Sequence, residues 1–302
     1  MSDVIEKDHL SVSRPRRSAL YMPGANERAL EKGREVPADV LIMDLEDGVA
    51  PEAKEEARQR IVRMVGEGGY GRRELAVRVN GFGTEGHDAD IAAMATAGLD
   101  AIALPKVDGP ETVLSVASAL DRAGAPATLR LWCMIETARG VLNASAIAAS
   151  HPRMGALMIG SADLTKDLRA IQTTDRLPLV TSIQLVILAA RANGLTVLDA
   201  PFFDLSDDDG FRASCRQGRE FGFDGKTLLH PKTIADANAA FGPSEEEIAW
   251  AHRITEAHEA ALAECKGVTL VDGQLIEGLH VAEAQRLVEM AETIRALESG
   301  DS

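Results

Sequence analysis

The sequence predicts a parallel (β/α)8 barrel, the TIM-barrel fold, followed by a C-terminal helical extension. Eight short apolar segments rich in β-forming residues alternate with longer helical stretches over about 220 residues, a usual size for this fold. A doubly wound open sheet is the alternative, but the single glycine of YMPGAN does not make the glycine-rich phosphate loop of that fold. The predicted strands are SALYMPG (18–24), VLIMDLED (40–47), ELAVRVN (74–80), AIALPKV (101–107), LRLWCMIE (129–136), ALMIGSADL (156–164), TVLDAPF (196–202) and FDGKTLLH (223–230).

The segments between these strands have the composition and spacing of helices. Strands and helices together define a predicted barrel domain over 15–243, with little sign of a linker inside it. The predicted helices of this domain include 26–35, 51–65, 112–123 and 179–193.

The last part of the chain, 244–302, has a different pattern and is predicted to be an extension. Two charged helices, 244–264 and 281–298, flank GVTLVDGQLIEGL, which is typical of a hairpin or a loop. Ser244 followed by Glu247 is a capping-box pattern and supports a helix start there. The extension is expected to pack on a neighbouring subunit or to cover the site as a lid. The structural alternative is a helical pair that only closes the bottom of the barrel.

Composition excludes several classes of protein. The chain has 302 residues and 45% hydrophobic content, enough for a substantial core, and its net charge of -15 argues against nucleic acid or an anionic membrane as a partner. No apolar run approaches the roughly 18 residues of a membrane span, and MSDVIEKDHLSVSRPRRS has no apolar signal core, so we expect a cytoplasmic protein. Cys133, Cys215 and Cys265 are too few and too scattered for a disulfide framework or a zinc cluster.

Two carboxylates are predicted at the catalytic face of the barrel, which is formed by the C-terminal ends of the strands. Glu136 ends the fifth strand and Asp163 ends the sixth, so adjacent strands deliver an acid to the same rim. A hard divalent cation takes one or two protein carboxylates and fills its other positions with water and ligand oxygens, which favours Mg²⁺. The structural alternative for each acid is a helix N-cap or a surface salt bridge.

Basic side chains follow two other strands. Arg78, at the end of the third strand, is expected either to bind a substrate carboxylate or carbonyl, or to form a salt bridge with Asp44 or Glu46 of the second strand. Lys106, at the end of the fourth strand, would suit a Schiff base only if its pKa were depressed, and the neighbouring acids in LPKVDGPE favour a raised pKa. We therefore expect an electrostatic role for Lys106 in binding substrate.

Several longer motifs carry a resemblance to a known family. The motifs are SALYMPGANERALEKG, ADVLIMDLEDGVAPEAKEEAR, LAVRVNG, ALPKV, MIETARGVLNASAIAAS, IGSADLTKDL, FGFDGKTLLHPK and VDGQLIEG. Taken in order, from about Arg17 to Ala291, they resemble the citrate lyase β-subunit-like branch of the HpcH/HpaI aldolase superfamily. Within that branch the chain most resembles the group of malyl-CoA lyases and malyl-CoA thioesterases.

The resemblance implies an enzyme of 3-hydroxyacyl-CoA esters such as malyl-CoA, dependent on Mg²⁺, with Mn²⁺ as the alternative ion. The family's metal ligands fall on Glu136 and Asp163, and its substrate-binding arginine falls on Arg78. Positions that contact CoA or line its pocket fall on Tyr21, Asn26, Lys32, Leu229 and His230.

Two of these CoA positions need comment. Asn26 departs from the arginine that the family often has, so whether this position still contacts a CoA phosphate stays open. His230 has a structural alternative, since it can cap the turn before Pro231.

Asp44, Glu46 and Asp47 are assigned to orienting Arg78 and metal-bound water, which places Glu46 and Asp47 in the catalytic set.

A departure in the extension bears on the reaction. Related lyases donate a catalytic aspartate from the C-terminal hairpin to the next subunit, and the matching residue here is Glu277 in GQLIEGLH. The extra methylene lengthens the reach by about 1.5 Å, and a shift near 1 Å can lower a rate about a hundredfold. Thioesterase-like members resemble this chain in carrying Glu there, which implies hydrolysis of the ester as well as, or instead of, its cleavage. Action in trans implies a closed homo-oligomer, a trimer or a hexamer.

The resemblance implies shared machinery for both reactions. Arg78 stabilises an oxyanion, while Glu277 protonates the enolate carbon in cleavage or activates water in hydrolysis. The acyl group stays open, because malyl, methylmalyl, citramalyl and citryl esters differ by small groups worth about 1–3 kcal/mol each.

Two other classes of function stay open. One is a non-catalytic or complex-dependent CoA-binding subunit, like a citrate lyase β chain, and the other is a Mg²⁺-dependent aldolase of free 2-oxo acids. Arg16, Arg17 and Lys32 are expected near the first loop, where they suit a CoA diphosphate and so favour a CoA ester. Their structural alternative is a solvated basic N-terminal segment.

Overall fold

A computed structural model describes residues 14–264 and 266–299, which leaves Cys265 outside the described part. The chain divides at Phe241 into a unit that begins at Arg16 and a second, C-terminal unit from Gly242. In the first unit eight parallel strands pair in sequence order and β8 pairs with β1, so the sheet closes and the predicted (β/α)8 barrel is confirmed. The strands are β1 (Ser18–Pro23), β2 (Val40–Asp44), β3 (Glu74–Arg78), β4 (Ala101–Leu104), β5 (Arg130–Ile135), β6 (Met154–Ile159), β7 (Thr196–Asp199) and β8 (Gly225–Leu228).

Helices follow the strands and form the outer layer of the barrel. Asp163, predicted at the end of the sixth strand, lies instead in the first turn of α7, because β6 stops before Gly160 and a helix begins at Ser161. The helices are α1 (Glu27–Lys32), α2 (Lys54–Glu67), α3 (His87–Met94), α4 (Pro110–Arg122), α5 (Ala138–Leu142), α6 (Ala144–Ala148), α7 (Ser161–Asp167), α8 (Val180–Ala192), α9 (Asp208–Phe221) and α10 (Ile234–Phe241). Short 3₁₀ turns occupy Pro51–Ala53, Leu177–Leu179 and Pro231–Thr233.

The interior of the barrel is packed by a few large side chains among many small ones. Trp132, Met134 and Met158 point inward among alanines, and Trp132 is completely buried. Leucine, isoleucine and valine fill the layer between strands and helices. The alternation of inner and outer side chains along each strand produces these two cores.

Arg16 and Arg17 close the N-terminal end of the barrel, so their predicted place near the first loop is wrong. Arg16 donates to both carboxylate oxygens of Glu74 and to the Thr196 hydroxyl, at the starts of β3 and β7. Arg17 is buried and donates to both oxygens of Asp39 at 2.9 Å. Both arginines precede β1, whereas the first loop follows it, and buried acids rather than a diphosphate neutralise them.

The C-terminal unit contains two long helices and a hairpin. Ser244 and Glu247 form the predicted capping box at the start of the first helix. Leucine and valine side chains are exposed on and around the hairpin, at Leu262, Val268, Leu270, Leu275 and Leu279. The elements are α11 (Glu245–Ala263), antiparallel β9 (Thr269–Val271) and β10 (Gln274–Ile276), and α12 (Gly278–Ser299).

None of the helices in 14–264 and 266–299 combines the length and apolar character needed to cross a bilayer.

A buried ion cluster joins β7, β8 and the helix layer. Lys226 Nζ lies 2.8 Å from Asp199 Oδ2, and both side chains are almost completely buried. Arg176 Nη1 lies 2.6 Å from Asp199 Oδ1. Gly218 of α9 makes room for this acid, since a Cβ there would lie 2.7 Å from Asp199 Oδ2.

We expect Asp199→Asn to lower the free energy of unfolding by about 3–5 kcal/mol, because it leaves Lys226 buried without a counter-charge. Urea titration followed by circular dichroism measures the loss. Asp209→Asn is the matched control, since Asp209 also pairs with an arginine but is solvent-exposed on α9. An equal, small shift for both variants would contradict the assignment.

Candidate active site at the C-terminal end of the barrel

Arg78 is anchored by the strand next to its own. Asp44 and Arg78 end β2 and β3 and are register partners, so carboxylate and guanidinium meet side by side. Nε and Nη2 of Arg78 each lie 2.7 Å from an oxygen of Asp44, and the guanidinium lies 4.9 Å from the centre of the Tyr21 ring. Burial lowers the pKa of Arg78, but the hydrogen bonds and charge of Asp44 outweigh it and the net pKa is raised. The salt-bridge alternative is confirmed, and Arg78 also lies at the barrel mouth, where its binding of substrate stays a prediction.

The loop after β2 folds back on its own aspartate. The backbone amides of Glu46 and Gly48 donate to Asp44 at 2.9 and 2.8 Å. Lys54 Nζ, from the first turn of α2, donates to the carbonyls of Leu45 and Glu46. The loop is thereby fixed with the Glu46 carboxylate directed at Arg78.

Glu46 connects the two cations of the site. Its Oε2 lies 3.0 Å from Arg78 Nη1 and its Oε1 lies 2.7 Å from Lys106 Nζ. Burial raises the pKa of Glu46 against the opposing effect of both cations. Asp47 lies 3.8 Å from Arg78 and is mostly exposed, so it belongs to the rim.

Lys106 has a raised pKa, as the sequence predicts, and its partner is Glu46. Burial lowers the pKa of Lys106, but the hydrogen bond and charge of Glu46 outweigh it. A protonated amine does not form a Schiff base, so the geometry favours the electrostatic role.

Glu136, one of the two candidate metal ligands, is buried and has a raised pKa. It is 2% exposed, and burial raises its pKa to about 7, with the Lys106 amide opposing and with Glu46 and Asp163 adding to the rise. The Lys106 backbone amide donates to Oε1 at 2.8 Å. Oε2 fills the space beside Gly160, where any Cβ would overlap it.

Asp163 lies close enough to Glu136 to raise its pKa. Within the described ranges, the Asp163 carboxylate has neither a hydrogen bond nor an ion pair. The charged groups of the site alternate in sign, and the series ends in Asp163, a second acid without a cation. In order they are Asp44, Arg78, Glu46, Lys106 and Glu136, the last two joined through the Lys106 backbone amide.

The carboxylates of Glu136 and Asp163 form a set of ligands that fits Mg²⁺. Two carboxylates supply hard oxygen ligands and an excess of negative charge. No group of three or more His, Cys, Asp or Glu side chains suited to a metal occurs among the residues that the structure describes.

The residues matched to CoA binding lie in or near the loops after β1 and β8, two paired strands. Asn26 caps α1, since its Oδ1 accepts from the Ala29 amide at 3.1 Å. Lys32 is exposed and pairs with Glu35. His230 Nδ1 accepts from the Lys232 amide, so the structural alternative of a turn cap is realised. Leu229 is partly exposed beside it.

Glu277 belongs to the C-terminal unit, in the turn between β10 and α12. Its backbone amide donates to His280 Nδ1 at 3.0 Å. The half-buried Glu277 carboxylate has no hydrogen bond or ion pair within 14–264 and 266–299.

Sequence reasoning missed two supporting residues and a cleft. Gly160 could have been suspected as a glycine at a strand end, whereas Lys54 gives no signal, because a lysine in the first turn of a helix is ordinary. A cleft of about 670 Å³ opens between the loops that follow α7 and β7. Its lining includes Ser161, Ile171, Arg176, Ala200, Phe203 and Lys226.

Comparison with known proteins identifies the family. Residues 17–231 match the family described as HpcH/HpaI aldolase/citrate lyase, and the chain belongs to it. The resemblance inferred from the motifs is confirmed.

Three relatives show which members of this family the chain is similar to. The chain is 45% identical to a (3S)-malyl-CoA thioesterase from Cereibacter sphaeroides, with 93% of this chain and 96% of that one aligned. It is 35% identical to an L-malyl-CoA/beta-methylmalyl-CoA lyase from the same species, with 94% and 97% aligned. The structure of CitE from Mycobacterium tuberculosis in complex with magnesium, acetoacetate and coenzyme A superposes with a TM-score of 0.74 at 28% identity, over 92% of this chain and 98% of that one.

We expect Gly160→Ala to weaken Mn²⁺ binding about tenfold or more, because the new methyl group displaces the Glu136 carboxylate. Isothermal titration with MnCl₂ in the absence of substrate measures the affinity. Gly66→Ala is the control, since a Cβ at this position of α2 meets no atom within 4 Å. Unchanged affinity in Gly160→Ala would show that Glu136 does not hold the ion.

Proposed function

We propose that the chain is a Mg²⁺-dependent enzyme of 3-hydroxyacyl-CoA esters that hydrolyses a malyl-CoA-like thioester to CoA and the hydroxy acid. The observation that carries this proposal is the pair of Glu136 and Asp163, left without a protein cation beside an anchored Arg78. The 45% identity to a malyl-CoA thioesterase over almost the whole chain supports the substrate class.

Carbon–carbon cleavage of the same ester is the second candidate. It would convert malyl-CoA to acetyl-CoA and glyoxylate. The 35% identity to a malyl-CoA lyase favours it, and the anchored arginine beside a carboxylate pair suits both reactions.

In this proposal Glu136 and Asp163 hold Mg²⁺, or Mn²⁺ in its place, since both ions accept carboxylate oxygens. A bound divalent ion polarises the substrate oxygens that it contacts. Gly160 and the Lys106 amide keep Glu136 in position for this role.

Arg78 stabilises negative charge on a substrate oxygen. Its guanidinium is fixed by Asp44, Glu46 and the Tyr21 ring, so little reorganisation is needed when charge develops. Glu46 and Asp47 complete the catalytic set by holding Arg78 and shaping the field around it.

Glu277 acts as the acid or base and, in this proposal, does so in the site of a neighbouring subunit. In hydrolysis its carboxylate takes a proton from the attacking water, whose oxygen bonds to the thioester carbon as the C–S bond breaks. In cleavage the protonated acid gives its proton to the enolate carbon.

The exposed leucines and valine around the hairpin supply an apolar surface for the proposed contact with the neighbouring subunit, within a trimer or hexamer.

The CoA moiety is proposed to lie over the loops after β1 and β8. Tyr21, Lys32, Leu229 and His230 would contact it, with Asn26 contributing its amide beyond the helix cap. Lys106 would meet the acyl part from the rim. The proposed CoA-ester substrate supports the expected cytoplasmic location.

We expect Glu136→Gln and Asp163→Asn each to lower Mg²⁺-dependent turnover of malyl-CoA by at least about a hundredfold, because each removes an oxygen ligand with its charge. Release of CoA, followed with a thiol reagent, measures it. Asp88→Asn is the control, an exposed acid on α3. Near-normal turnover in either ligand variant would overturn the metal assignment.

We expect (S)-malyl-CoA and Mg²⁺ to yield free CoA and malate, and Glu277→Gln to lower that yield by about 10²–10⁴-fold through loss of the general base. Mass spectrometry of CoA, malate, acetyl-CoA and glyoxylate measures all products. The control is Glu283→Gln, a surface acid of α12 paired with Arg286.

Other outcomes separate the alternatives. Acetyl-CoA with glyoxylate would establish the lyase, and full activity in Glu277→Gln would remove that residue from the mechanism. Inactivity toward malyl-CoA with turnover of a free 2-oxo acid would establish the aldolase. Inactivity with retained CoA binding would indicate another acyl-CoA or the non-catalytic subunit.

A further inference from the structure

The turn after β4 has an unusual backbone conformation. Lys106 has φ +52°, in the left-handed region that non-glycine residues seldom adopt. In this conformation its backbone N–H points at Glu136 Oε1, 2.8 Å away. The following amide, of Val107, donates to the Met134 carbonyl of β5.

The strain of this turn is balanced by contacts from the segment that follows Glu136. Asn143 Nδ2 donates to the Asp108 carbonyl at 2.7 Å, and the Thr137 hydroxyl donates to the Asp108 carboxylate. Gly140 lets the helix approach closely, since a Cβ there would lie 2.5 Å from the Val107 carbonyl. The turn is therefore locked onto the element that carries Glu136.

We infer that Lys106 is a positioning residue for Glu136, through its left-handed backbone and independently of its ammonium group. The amide engages Oε1 and so fixes the plane of the carboxylate, which leaves Oε2 as the oxygen available to an ion. The ammonium has a separate task, the ion pair with Glu46. This inference rests on the proposed metal site.

Two substitutions separate backbone from side chain. Lys106→Asn and Lys106→Val both remove the ammonium group, but asparagine tolerates the left-handed region and a β-branched valine strongly disfavours it. If the backbone positions Glu136, the two variants will differ in affinity for the ion. If only the charge matters, they will behave alike.

The experiment is titration of the full-length protein with MnCl₂ alone, followed by electron paramagnetic resonance of free Mn²⁺. We expect Lys106→Val to bind Mn²⁺ about tenfold or more weakly than Lys106→Asn, the size typical of losing an outer hydrogen bond to a metal ligand. In Mg²⁺-dependent turnover, Lys106→Val should raise the Mg²⁺ concentration for half-maximal rate more than Lys106→Asn does. Circular dichroism confirms that both variants fold.

Equal Mn²⁺ affinities in the two variants would overturn the inference and leave the proposed metal site intact. Absence of Mn²⁺ binding in the unsubstituted protein would overturn both. If Lys106→Val does not fold, Asn143→Ala gives the test, because it loosens the turn without touching Lys106. Unchanged affinity in that variant would likewise overturn the inference.

Discussion

The alternation of charge across the barrel mouth is the constraint on which the rest of the site depends. Asp44 and Glu46 enclose Arg78, Glu46 also pairs with the Lys106 ammonium, and the Lys106 backbone amide donates to Glu136. Such partly buried charges are stable only while each keeps its partner, so the loops that carry them must be fixed. Two interactions fix the loop after β2: backbone amides of the loop donate to Asp44, and Lys54 of α2 donates to the loop's carbonyls. What remains is the carboxylate pair of Glu136 and Asp163, whose negative charge a divalent cation would neutralise in the proposed function.

Small residues and backbone amides hold this arrangement as much as the charged groups do. Gly160 and Gly140 are needed because a carboxylate in one case and a carbonyl in the other occupies the space of a side chain. Four positions of the IETARGVLN motif thus have a structural explanation: an acid, a cap that also binds Asp108, a glycine for close approach, and an asparagine that donates to the preceding loop.

Sequence predicted the barrel and much of its rim, for a physical reason. Side-chain alternation along short apolar strands fixes which residues end at the C-terminal face, and neighbouring strands bring Asp44 and Arg78 together. Asp163 was placed on a strand because the apolar pattern runs across Gly160, where the backbone turns into α7. Arg16 is misplaced by the sequence analysis because its partners lie far along the chain and meet it only when the barrel closes. Lys54 is missed because its partners include backbone carbonyls, which leave no residue pattern.

In the proposed function the barrel alone does not choose between hydrolysis and carbon–carbon cleavage. A rigid Arg78, together with an ion held by the carboxylate pair, would stabilise negative charge on an ester oxygen in either reaction, so these groups would bind a common ground state. The reactions differ in where a proton moves, to an enolate carbon or from a water molecule. That task needs an acid or base whose carboxylate is free, and Glu277 has no partner among the described residues. In the proposed function the reaction outcome would therefore depend on Glu277 of the extension, where one methylene of reach separates Glu from Asp.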